Sequence, residues 1–206
     1  MGKIFEVAIP RRRSTQPALF ATAPRLPDGM IYRRDFLASA TEADLVRTIA
    51  GLPFGAAQYR QYTAKRRTVS FGASYDFTTN RPLPAPPEPE WLWPLRERVA
   101  VWVGLPAVDF SFALVTEYQP GRQLGWHRDV PNFETVVGVS LAGVGRMRFR
   151  PWPPGDAPRR AALTVDLEPR SAYVLRGESR WRWQHAISPT KQLRYSITFR
   201  TARGSS

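Results

Sequence analysis

The chain has no cysteine, so disulfides, thiolate metal sites, iron–sulfur clusters and cysteine nucleophiles are all excluded. It has two histidines, His127 and His185, so a metal site must be built from these and carboxylates. Lysine is nearly absent: 27 of the 30 basic residues are arginine. No apolar run reaches the roughly 18 residues of a membrane span. The stretch from Met1 to Leu19 is broken by Pro10 and Arg11-Arg12-Arg13, so it does not read as a secretory signal. Together these point to a cytoplasmic protein, off the membrane and monomeric.

What is present is length for one domain, 206 residues, and a net charge of +13. The excess is even, +6 over residues 1–100 and +7 over 101–206, so no detachable tail carries it. Arginine of this abundance suits bidentate phosphate contacts, and a nucleic-acid partner is favoured over simple solubility.

Residues 1–35, rich in Pro and Arg, read as an irregular arm with a short strand at Met30 to Tyr32. Residues 36–104 hold two helices. In the first, Thr41-Glu42-Ala43-Asp44 resembles a capping box and Leu45, Val46 and Ile49 form a stripe closed by Gly51 and Pro53. The second runs from about Glu90 to Val103, with Trp91, Leu95, Val99 and Trp102 on one side, behind a stiff proline linker from Arg81 to Pro89. From residue 105 to 203 the texture is β: Ser111 to Tyr118, Thr135 to Leu141, Arg146 to Phe149, Ala161 to Leu167, Ser171 to Leu175 and Arg194 to Thr201. Short strands at this spacing predict a mainly β fold, a double-sheet jelly roll with the helices on one face.

His127 and Asp129 are two residues apart, so on an extended segment both point to one side and can share a metal. With His185 they would make two imidazoles and a carboxylate, the facial triad of non-haem Fe(II) oxygenases. A lone His-x-Asp is weak on its own, since such pairs also form surface turns. In the last strand Arg194, Ser196, Thr198 and Arg200 share a face opposite Tyr195, Ile197 and Phe199. Two readings stand: a solvated edge strand, or an arginine clamp for a small dicarboxylate, because buried arginine is expensive without an anion. Thr116 and Tyr118 likewise share a face nine residues upstream of the His-x-Asp.

The series Glu117-Tyr118-Gln119-Pro120-Gly121, His127-x-Asp129, Val139-Ser140-Leu141, Gly177-Glu178-Ser179-Arg180 and Arg194-x-Ser196-x-Thr198-Phe199-Arg200 resembles the AlkB family of Fe(II)- and 2-oxoglutarate-dependent dioxygenases. The likeness runs from about Phe110 to Thr201. It implies a double-stranded β-helix core, iron held by His127, Asp129 and His185, and 2-oxoglutarate and O2 as cosubstrates. Mn, Ni or Co would be inert substitutes for the iron. It further implies that Arg194, helped by Tyr118, takes the distal carboxylate of 2-oxoglutarate and Arg200 the metal-side one. The family often has Asn where Thr116 and Ser196 stand, so hydroxyls would make those hydrogen bonds. Metal binding should weaken as pH falls through the histidine range.

The implied activity is oxidative dealkylation of N-alkylated bases in DNA, with RNA as a further substrate. The partner would be single-stranded nucleic acid, or a duplex by base flipping. Residues 66–77 resemble the family's nucleotide-recognition lid: Arg66 and Arg67 offer phosphate contacts and Phe71, Tyr75 and Phe77 stacking faces, with Glu134 and Trp183 as further substrate candidates. Two readings stand for these as well, since Val69, Phe71, Tyr75 and Phe77 would equally suit a core. Alternatives for the whole chain are a tRNA- or protein-modifying oxygenase of the same family, an oxygenase for a small metabolite, or a basic nucleic-acid-binding module with a vestigial metal site.

Overall fold

The structure, a computed structural model, describes residues 26–59, 62–76, 81–153 and 163–204. In chain order these form β1 (Met30–Arg33), α1 (Ser39–Ala50), β2 (Gly55–Tyr59), β3 (Tyr62–Phe71), β4 (Ala73–Asp76), β5 (Arg81–Pro84), α2 (Trp93–Val103) behind a short 3-10 turn (Glu90–Leu92), and β6 (Phe110–Tyr118). There follow β7 (Leu124–His127), β8 (Phe133–Leu141), β9 (Gly145–Pro151), β10 (Leu163–Leu167), β11 (Ala172–Leu175), the single turn α3 (Glu178–Trp181), β12 (Trp183–Ile187) and β13 (Arg194–Ala202).

A seven-stranded antiparallel sheet has the order β1-β11-β8-β13-β6-β3-β2, and a four-stranded one the order β10-β9-β12-β7. These are the two sheets of a jelly roll, as the β-rich second half predicts. β13 lies between β8 and β6, and its alternation divides the interior in two. Tyr195, Ile197 and Phe199 join Ala113, Val115, Val137 and Val139 from the neighbouring strands and Leu45, Ile49, Leu95 and Val99 from the helices. This is the helix-covered layer. On the other side Tyr118, Val136, Tyr173, Met147, Phe149, Leu167 and Ile187 line the space between the sheets. Each fully buried aliphatic contributes about 1.5–3 kcal/mol relative to exposure, so both layers hold β13 in register.

Several local readings are corrected. Thr41-Glu42-Ala43-Asp44 does not cap α1: the N-cap is Ala38, without a side-chain bond, and Asp44 instead pairs with Arg47 within the helix. Glu42 is drawn off to accept from the Ala142 backbone N–H. Pro94 sits in the first turn of α2, and Gly104, at φ +71°, ends that helix in a left-handed conformation. The first part of the proline linker is a strand, since Arg81–Pro84 is β5, paired antiparallel with β4. β10 is described from Leu163 to Leu167; residues 1–25 of the arm, Ala161, and Phe77 lie outside the described residues.

Candidate metal centre

The two histidines meet because β12 pairs antiparallel with β7, setting His185 directly opposite His127. Asp129, two residues beyond His127, returns to the same side. Ligand atoms of all three lie within 4.8 Å of one another, and His185 Nε2 is 3.7 Å from Asp129 Oδ2. Among the described residues no other cluster of potential metal ligands occurs. His127 Nδ1 donates to the Gly125 carbonyl at 2.9 Å, so its proton lies there and Nε2 keeps its lone pair for a metal.

Electrostatics keeps the donors in their ligating forms. Burial would raise the Asp129 carboxyl, but the Arg200 guanidinium, with the histidines and Arg180, outweighs it and holds the group below the usual carboxylate range. Arg200 Nε and Nη2 both donate to Asp129 Oδ1, at 3.0 and 2.9 Å, while Nη1 donates to Thr198 Oγ1. Oδ2 is left toward His185. Burial lowers both imidazoles, and the neighbouring His127 helps bring His185 down to about 3. Burial thus favours the neutral imidazoles that a metal requires.

Arg194 lies on the inward face of β13, opposite Tyr118, and is 1% exposed. Its guanidinium is 5.1 Å from the Tyr118 ring centroid, Nε donates to Ser140 Oγ at 3.0 Å, and Nη1 is buried with no hydrogen-bond partner. A charge in this state costs several kcal/mol unless an anion joins it. This overturns the edge-strand alternative and fits a dicarboxylate. Thr116, Ser196 and Ser140 stand in register across β6, β13 and β8, a row of three buried hydroxyls on the same wall. Space for the arginine comes from Gly145, where a Cβ would strike Arg194 Nε.

Ser140 and Tyr173 were not singled out as site residues from the sequence. Tyr173 faces Gly138 across β11 and β8, its ring filling the room that a side chain there would need, and burial pushes its hydroxyl above the ordinary tyrosine range. The signal that could have found it is Gly138 set between Val136-Val137 and Val139 in a strand. Arg180 also lies outside the chemistry but supports it: Nη2 donates to the carbonyls of Val130 and Phe133, fixing the chain just beyond Asp129.

The substrate candidates are less gathered. Phe71 is a correction: it is 7% exposed in the helix-covered layer, edge-on to Trp91, and has no face free to stack on a base. Arg67 Nε and Nη2 fork onto Glu117, whose carboxyl that bond holds below the usual range, so the guanidinium already has a partner. Arg66 is half-buried on β3, and Tyr75 lies on β4. Glu134 accepts from Trp181 Nε1 and lies 3.8 Å from Arg203, which suits a structural role. Trp183 is half-buried against the inner layer.

Residues 29–200 match the family model described as the 2OG-Fe(II) oxygenase superfamily. The chain is 28% identical over 177 residues to the Xenopus tropicalis protein named tRNA (carboxymethyluridine(34)-5-O)-methyltransferase alkbh8, covering 82% of this chain and 26% of that one. The Mus musculus protein of the same name is 27% identical over 174 residues, 81% of this chain and 25% of that one. Protein L905 of Acanthamoeba polyphaga mimivirus is 30% identical over 100 residues, 42% and 46% of the two chains. The chain thus spans about a quarter of the two methyltransferase relatives and under half of the viral one. Among solved structures, that of OsALKBH1 superposes with a TM-score of 0.65 at 20% identity, covering 86% of this chain and 98% of the other, a likeness of fold. The AlkB resemblance read from Glu117 to Arg200 is borne out.

Proposed function

The chain belongs to the 2OG-Fe(II) oxygenase superfamily, and from that premise we propose that it oxidatively dealkylates N-alkylated bases of nucleic acid, in DNA and also in RNA. It is a 2-oxoglutarate-dependent dioxygenase, with Fe(II) as cofactor and 2-oxoglutarate and O2 as cosubstrates. When bound, these supply one oxygen atom to a substrate C–H bond and the other to succinate, with release of carbon dioxide. An N-methyl group so hydroxylated separates as formaldehyde, and the nitrogen regains its proton.

The residues divide that work. His127, Asp129 and His185 hold the metal, two nitrogens and one oxygen being the donor set that leaves positions open for cosubstrates. Arg200 keeps Asp129 ionised and aimed. Arg194 offers Nη1 to a carboxylate, with Tyr118 and Ser140 fixing its plane and Thr116 and Ser196 lining the wall. Met147, Phe149 and Ile187 keep water from the same space. On the substrate side, Arg66, Tyr75, Phe77 and Trp183 are the groups we assign to phosphate contact and base stacking.

The single observation that carries the reading is a fully buried arginine with an unsatisfied nitrogen on the barrel wall that also presents Arg200 to the His-Asp-His cluster. Incubating the Fe(II)-loaded protein with 2-oxoglutarate and N-methylated oligonucleotides should release formaldehyde and succinate in equal amounts. Succinate without formaldehyde from any methylated oligonucleotide would overturn dealkylation. A second reading, action on tRNA, is supported by the names of the two relatives that align over four-fifths of this chain. Hydroxylated tRNA nucleosides, in the absence of formaldehyde, would favour it.

A further inference from the structure

The outer face of the four-stranded sheet carries arginine and tryptophan contacts that the metal centre does not use. Along β9, Met147 and Phe149 point inward and Arg146, Arg148 and Arg150 outward. Trp126 precedes His127 on β7, where the register is irregular, and its ring lies on the outer face with Arg148 and Arg150. β12 runs between them, with Ala186 opposite Arg148 and Gln184 opposite Arg150. Ala186 leaves room for Arg148 to reach across, Gln184 holds Arg150 at its Nε, and both guanidiniums lie over the Trp126 ring, at 5.0 and 4.5 Å. The row continues past His127: Arg128 lies 5.1 Å from the Trp152 ring and donates to the Trp181 carbonyl. The Trp181 ring is in turn flanked by Arg180 and Arg203.

Charge on this face is unbalanced. Arg146 is forked onto Asp166. Among the described residues, however, no carboxylate forms an ion pair with Arg128, Arg148 or Arg150. Arg150 Nε donates to Gln184, and Arg148 Nε is buried with no hydrogen-bond partner. A guanidinium lying on an indole ring keeps its N–H edge available while losing side-chain freedom, a preorganised phosphate donor. Residues two apart on a strand are about 6.6 Å apart, a spacing that successive phosphates of an extended single strand can match.

We propose that Trp126, Arg128, Arg148 and Arg150 form a track for the sugar–phosphate backbone of single-stranded nucleic acid, outside the barrel and leading to the strand that bears His127. This rests on the nucleic-acid reading above and extends it to a surface distinct from the base-binding side. Bases could stack on Trp126 or Trp152 beside the same arginines.

The test is fluorescence anisotropy of an end-labelled, unmethylated single-stranded DNA oligonucleotide across a salt series, for the full chain and four variants. In R148Q/R150Q, affinity at low salt should fall roughly tenfold, and the slope of log K against log salt should drop by about 1.4, two single-strand phosphate contacts. R150Q alone should lower the slope by about 0.7, and it keeps the measurement available should the double variant fail to fold. R148K/R150K should keep most of the slope. R47Q/R98Q removes the same charge from the helices and should change neither quantity. Equal losses in both glutamine pairs, or none in R148Q/R150Q, would overturn the track while leaving nucleic acid as the substrate. No binding by the unaltered protein at the lowest salt would overturn the nucleic-acid reading itself and the track with it.

Discussion

His127 and His185, 58 residues apart in the chain, are direct cross-strand partners, their ring centroids 4.3 Å apart and the planes inclined at 59°. A pairing of two short strands thus brings together two of the three side chains proposed to hold the metal, and Asp129 needs only to follow His127 by two residues to complete the set. Antiparallel pairing of β7 and β12 sets the separation of the two imidazoles.

The first expectation concerns the metal. His185→Ala and Asp129→Asn should each weaken Mn(II) binding by roughly a hundredfold or more, beyond what loss of an outer-shell partner costs. Titration followed by electron paramagnetic resonance of free Mn(II) measures this. Unchanged affinity in either variant would remove the triad as the metal site.

Arg194→Met separates cosubstrate binding from stability. The arginine is buried with one nitrogen unsatisfied, so a well-packed apolar side chain should leave the melting temperature of the free protein unchanged or higher. The upward shift in melting temperature caused by N-oxalylglycine, a 2-oxoglutarate mimic, should vanish. A preserved shift would show that the dicarboxylate binds elsewhere.

Gly145→Ala reaches the same pocket from the neighbouring sheet. Its Cβ would strike Arg194 Nε, and the guanidinium is enclosed, so Arg194 must shift off Ser140. N-oxalylglycine affinity should fall at least about tenfold, the equivalent of one lost charged hydrogen bond, while Mn(II) affinity stays as in the unaltered protein. Calorimetry with each ligand separates the two.

Acid stability tests the Arg67–Glu117 pair. Its hydrogen bonds lower the Glu117 carboxyl in the folded protein, so the unfolded chain binds that proton more readily. The pair's contribution is present above the ordinary glutamate range, near pH 4.3, and is lost as pH falls through the lower folded value. Melting temperature should therefore decline more gently between pH 5 and 3 in Glu117→Gln than in the unaltered protein. Parallel declines would mean that the pair contributes nothing.

The parts legible in the sequence were those in which period and chemistry agree. β13 alternates so strictly that both faces, and the two arginines on one of them, follow from counting by two. β7 and β12 were not seen as strands because Leu124–His127 and Trp183–Ile187 are short and carry few β-branched residues; pairing, not propensity, makes them extended. The capping box at Thr41 failed because the helix already begins at Ser39, with Ala38 as its N-cap, which puts Thr41 inside the first turn and leaves Asp44 to pair with Arg47. Phe71 looked like a stacking platform beside Arg66 and Arg67, but β3 joins the large sheet and takes the ring under α2. That Arg200 grips Asp129 was not readable either, since it depends on where the loop after β7 folds back.

The two-sided use of β13 has an evolutionary cost. Each alternate codon along it answers to a different selection, grease for the helices on one side and catalysis on the other, so a one-residue slip would exchange the two duties at every position together. Descendants of this enzyme are therefore free to vary that strand by like-for-like replacement, while a single insertion or deletion inside it should be lethal to activity.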